Sequence, residues 1–184
     1  MNPDYFLREG KFTKRNKIVK NALGDALNLE VGTTDFEKIS SYLSHHFATL
    51  RPWNPALFRK RTASQIISSR KSNGCTDYGL VFLTLVRELG IPAKYVETIE
   101  KENLSHPERL HVSGHIFVEL FINGKWEIYE PFRGFQKSYS LGEKKFIPIA
   151  RGLDFSNLTS IRGKRLKLES LTKVREARDN ISLS

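Results

Sequence analysis

Asn73-Gly74-Cys75-Thr76-Asp77-Tyr78-Gly79-Leu80-Val81-Phe82-Leu83-Thr84-Leu85-Val86-Arg87-Glu88-Leu89-Gly90-Ile91-Pro92 holds the strongest helix signal in the chain. Leu80, Leu83, Val86 and Leu89 recur at helical spacing, and Val81, Phe82 and Leu85 fill the other side. A helix over 75–89 would be apolar over much of its circumference, so it is expected to lie at the centre of the fold. Asn73-Gly74 suits a turn into it, Gly90 suits its C-cap, and Pro92 prevents its continuation. The helix opens on Cys75, the only cysteine of 184 residues.

Upstream, the pattern stays helical. Residues 4–30 read as one or two short amphipathic helices, with Leu7, Phe12, Ile18, Val19, Leu23 and Leu27 inward. Thr34-Asp35-Phe36-Glu37 is a capping-box pattern, and apolar residues follow at Phe36, Ile39, Tyr42, Leu43, Phe47 and Leu50. Pro52 and Pro55 bracket a loop around Trp53. Thr62-Ala63-Ser64-Gln65 offers a second capping box, opening a short helix toward Ser69.

Downstream, the period changes to that of strands. Ala93–Ile99 reads as one strand and 114–122 as another. Asn123-Gly124 signals a hairpin turn, with Trp126–Tyr129 as the returning partner. Residues 101–111 read as a polar loop, Phe146–Ile149 as a further strand and 165–180 as a charged helix. Helices first and consecutive antiparallel strands afterwards indicate an α+β domain. The length suits a single domain over 1–184, with a helical N-terminal extension (1–50) and a basic C-terminal extension (150–184).

Composition narrows the function classes. One cysteine excludes an internal disulfide and any multi-cysteine zinc or iron–sulfur site. His106, His111 and His115 match no standard zinc spacing, so neither metal nor cofactor is expected. No segment approaches the roughly 18 uninterrupted apolar residues of a membrane span. The first residues lack the order of a secretory signal, so a cytoplasmic location is the expectation. The net charge is +10, and no acid occurs between Glu37 and Asp77, where Arg51, Arg59, Lys60, Arg61, Arg70 and Lys71 all fall. Such a basic surface is either solvated or suited to an anionic partner.

A lone cysteine is ordinarily a small buried hydrophobe. At a helix start its meaning changes, because free amides and the helix dipole stabilise a thiolate and supply donors for an oxyanion. A thiol nucleophile needs an imidazole, and the imidazole needs an orienting acid. His115 opens a strand, with His111, four residues earlier, as its competitor. In a two-residue turn Ile122 pairs with Lys125, so His115 would face Phe132, and Glu130 would be its diagonal neighbour. Asp77 in the first turn is expected to complement the dipole, and Trp126 to pack in the core.

Taken in order, Gly74-Cys75-Thr76-Asp77-Tyr78, Leu85–Leu89, Gly90-Ile91-Pro92-Ala93-Lys94-Tyr95-Val96, Gly114–Leu120 and Gly124–Pro131 resemble the transglutaminase-like superfamily. The resemblance covers about 62–132. It implies a papain-like arrangement: N-terminal helices and a central Cys-bearing helix packed on an antiparallel sheet. It implies Cys75 as nucleophile, His115 as general base and acid, and Glu130 as orienter. It also implies a protein or peptide amide substrate, with a cysteine protease or amidase and a protein-glutamine transglutaminase both within its range. Two positions depart from the family pattern: Glu130 stands where Asp is usual, and Phe117 where Trp is usual. The oxyanion donor is unmarked, with Trp53, Gln65 and Asn73 as candidates beside the Cys75 amide. A catalytically silent member that binds protein or nucleic acid through its basic face is the alternative.

Overall fold

The computed structural model describes residues 2–30, 34–49, 52, 54–102, 114–132, 136–137 and 145–156. Four α-helices are formed: α1 (Lys17–Leu27), α2 (Asp35–His46), α3 (Ala63–Ser69) and α4 (Cys75–Glu88). The longer strands are β3 (Ala93–Glu100), β4 (Gly114–Ile122), β5 (Lys125–Glu130) and β7 (Phe146–Gly152). Three two-residue pieces complete the set: β1 (Ala48–Thr49), β2 (Lys71–Ser72) and β6 (Gln136–Lys137).

Local chemistry accounts for the helix ends. Thr34 and Glu37 make both halves of a capping box at α2, and Thr62 and Gln65 do the same at α3. Asn16 caps α1, its side chain accepting from the amides of Ile18 and Val19. Inside α1 the buried side chains are Val19, Ala22, Leu23 and Ala26, while Ile18, expected inside, is 42% exposed. The helix begins at Lys17, which turns position 18 toward solvent.

Every residue of α4 from Thr76 to Arg87 is buried, as its all-round apolar sequence requires. The helix lies between α1, α2 and α3 on one side and the sheet on the other. Tyr78 ties it to the end of α2, its hydroxyl donating to the carbonyls of Leu43 and Phe47 at 3.3 and 3.2 Å. Gly79 permits a close approach of helix and sheet: a Cβ there would stand 2.6 Å from Ile116 Cγ2.

The sheet runs β6-β5-β4-β3-β7, antiparallel throughout. The β4–β5 register has Ile122 opposite Lys125 and Val118 opposite Tyr129. Asn123 and Gly124 both have positive φ, as a type I′ turn demands. The strand beginning at Phe146 extends to Gly152 and adds to β3, on the far side of the sheet from the hairpin. β1 and β2 form a small parallel pair that brings the end of α2 beside the chain leading to α4.

Two buried polar residues join distant parts of the chain. Arg87 donates to the carbonyls of Ala93 and Leu153 and to Thr13 Oγ1. Burial pulls its pKa down to about 9, which leaves it charged at neutral pH. Asp154 Oδ2 accepts from the Phe12 amide at 2.8 Å, and its Oδ1 from the amide and hydroxyl of Ser156. No helix among the described residues is long and apolar enough to cross a membrane. The loop expected over 101–111 and the helix expected over 165–180 lie outside the described residues, except for Lys101 and Glu102.

Candidate active site

Cys75 is the first residue of α4, and Gly74 before it has φ 89° and ψ −157°. That conformation is costly for any residue with a Cβ, so glycine is what allows the chain to turn sharply into the helix. The first intrahelical bond runs from the Tyr78 amide to the Gly74 carbonyl at 3.2 Å. The amides ahead of it have no partner within the helix, which leaves donors at the cysteine.

The turn is fixed from two directions. Asp77 Oδ2 accepts from the Asn73 amide at 2.7 Å and also from the Arg61 guanidinium. Asp77 is buried, so it braces the turn as well as facing the helix dipole. Burial raises its pKa, opposed by the Asn73 amide and by Arg61. The Asn73 side chain is held by the backbone of Asn54: Oδ1 accepts from the Asn54 amide and Nδ2 donates to its carbonyl, each at 2.9 Å.

His115 lies near the start of β4, and Glu130 ends β5. The register places them diagonally, and His115 Nε2 meets Glu130 Oε1 at 2.5 Å. The longer acid therefore spans the gap. Phe117 packs edge-on against the imidazole, with ring centroids 5.1 Å apart, and Phe146 from β7 covers it at 5.5 Å. Burial alone would pull the ring toward its neutral form. Hydrogen bonds and negative charge from Cys75 and Glu130 outweigh that and raise its pKa to about 9. Since Nε2 is engaged by Glu130, Nδ1 is the ring nitrogen left for the thiol. The structure thus joins His115 to Glu130 by a hydrogen bond and sets Cys75 in the cleft that the same imidazole lines.

Cys75 and His115 open onto a cleft of about 420 Å³, whose lining also includes Phe58, Arg59, Glu97 and Ile116. That volume lies within the range of small-ligand and peptide-side-chain sites. The oxyanion candidates separate. Asn73 lines the cleft, but its side chain is taken up by Asn54. Gln65 is engaged in the α3 capping box. Trp53, His106 and His111 lie outside the described residues.

Sequence reasoning missed two ion pairs here. Arg59 bonds Glu97 on β3, and Arg61 bonds Asp77. Two members of the acid-free basic stretch therefore turn inward. The signal was there in outline, since a carboxylate within Tyr95-Val96-Glu97-Thr98-Ile99 requires a cation once that strand is buried.

The model of the transglutaminase-like superfamily matches residues 25–131, more than half of the chain. Comparison with curated proteins returned no match. Among solved structures, a presumed cysteine protease from Cytophaga hutchinsonii superimposes with a TM-score of 0.63 at 20% identity, over 86% of this chain and 50% of that one. This chain spans half the length of that protein, and the likeness is one of fold. A central helix begun by cysteine, packed on an antiparallel sheet and matched over 25–131, places the chain in the transglutaminase-like superfamily.

Proposed function

We propose that the protein is a thiol-dependent acyl-transfer enzyme acting on amide bonds of proteins or peptides. The observation that supports this reading is the His115–Glu130 hydrogen bond together with the shared cleft onto which the Cys75 thiol and the His115 imidazole both open. His115 takes the Cys75 proton as the thiol becomes the nucleophile. The thiolate attacks the amide carbonyl, and backbone amides at the start of α4 stabilise the oxyanion. His115 returns its proton to the departing nitrogen, the C–N bond breaks, and a thioester remains on Cys75. Water or an amine then attacks the thioester, with His115 accepting the proton of the incoming nucleophile. Water as acceptor makes the enzyme a hydrolase, and a lysine amine makes it a transglutaminase.

The test is alkylation by iodoacetamide at about pH 6, with Cys75→Ala as the blank. An activated Cys75 reacts well ahead of a model thiol, which is mostly protonated there. Equal rates would remove the nucleophile assignment. Ammonia release from glutamine peptides, with and without an added amine, then identifies the acceptor.

A further inference from the structure

We propose that Glu97 forms a subsite for a positively charged group, an ammonium or guanidinium, on the substrate next to the amide attacked by Cys75. The inference rests on the acyl-transfer reading and adds to it a class of substrate. Glu97 lies in the middle of β3, and β3 is paired on both edges, with β4 and with β7. Its side chain is 9% exposed and lines the same cleft as Cys75. A carboxylate at that depth needs all its acceptor sites filled. One of its two oxygens is engaged: Arg59 Nη2 bonds Oε1, while Oε2 has no hydrogen-bond partner among the described residues.

Arg59 is equally incomplete. Arginine–carboxylate pairs favour two parallel bonds, yet Arg59 Nε has no partner among the described residues. The two residues therefore meet through a single bond where the fork could make two. The backbone shows which member can yield. Glu97 is paired in two strand ladders, with a register shift beside it on the β7 side, whereas Arg59 follows the half-exposed Phe58 and has φ 55°, a left-handed conformation that costs any residue with a Cβ. Movement of Arg59 uncovers Oε2 to the cleft. A cation entering there supplies the missing donor and takes over the charge partnership in a poorly solvated site, where charge-assisted bonds are strongest.

Reagents that differ in charge and report on the thiol directly test this. Cys75 is modified by methanethiosulfonates carrying an ethylammonium or an ethylsulfonate group, and by the neutral methyl reagent, in about 0.3 M salt to screen the net charge of the chain. The cation-to-anion rate ratio, set against that of 2-mercaptoethanol, is expected to be about tenfold higher at Cys75. Glu97→Gln should return the ratio to that of the model thiol, and Arg59→Gln should raise it further. A wild-type ratio equal to the model thiol's overturns the subsite, and this reading needs no variant to fold. If Cys75 reacts readily with the neutral reagent but shows no charge preference, the subsite fails and the acyl-transfer reading stands. Slow reaction with all three reagents overturns both.

Discussion

At the scale of the residue, His115 carries the sharpest prediction. Its folded pKa of about 9 stands above the ordinary histidine value of 6.5. The folded protein therefore holds a proton that the unfolded chain releases between those values. The associated stability is complete below pH 6.5 and is lost as pH rises through about 9. At 1.36 kcal/mol per pKa unit it is on the order of 3 kcal/mol. Replacing Glu130 with Gln removes one of the groups that raise the pKa. The titration midpoint of the His115 ring, followed by NMR, should then move toward 6.5. Urea unfolding midpoints at pH 6 and pH 9 should also converge in the variant; an unchanged midpoint would show that Glu130 does not tune the ring. The placement of Cys75 at a helix start and of Glu130 diagonal to His115 was legible in the sequence, because a helix start and a two-residue hairpin fix those positions by local rules. Arg59 and Glu97 were not, because they lie 38 residues apart and meet only when the sheet closes. No period or turn signal encodes that contact.

The element that decides site geometry is α4, because it carries the thiol and rests on the strand that carries the imidazole. Gly79 sets their separation. Alanine would improve helix propensity by roughly 1 kcal/mol, yet its Cβ would stand 2.6 Å from Ile116 Cγ2, on the residue next to His115. Ile116 is short and β-branched, so the helix itself must move. Gly79→Ala is expected to cost a net 1–3 kcal/mol, roughly the usual range for overpacking, and to slow Cys75 alkylation as the thiol leaves the ring. A stabilised variant with unchanged alkylation would contradict this. The helix ends could be read from the chain because capping boxes are short-range chemistry. The parallel β1–β2 contact and the pairing of β7 with β3 could not. Two-residue strands carry too little pattern, and the choice of neighbour in a sheet depends on what the rest of the fold leaves open.

Over the whole molecule, buried polar groups join regions that the sequence keeps apart. Arg87 connects the end of α4 to the entry of β3, to Leu153 beyond β7 and to Thr13 ahead of α1. Arg87→Met preserves much of the volume but leaves the carbonyls of Ala93 and Leu153 without that donor. Denaturant unfolding should register a loss of about 3 kcal/mol or more. A loss below about 1 kcal/mol would mean that water replaces the guanidinium. Asp154 has a related effect on dynamics. Its bond to the Phe12 amide crosses 142 residues, and the Phe12 carbonyl accepts in turn from the Ala63 amide at 2.9 Å. The segment around residue 12 therefore cannot fray by itself. In hydrogen–deuterium exchange its amide should be protected on the timescale of α4, opening only when the helices and sheet come apart together.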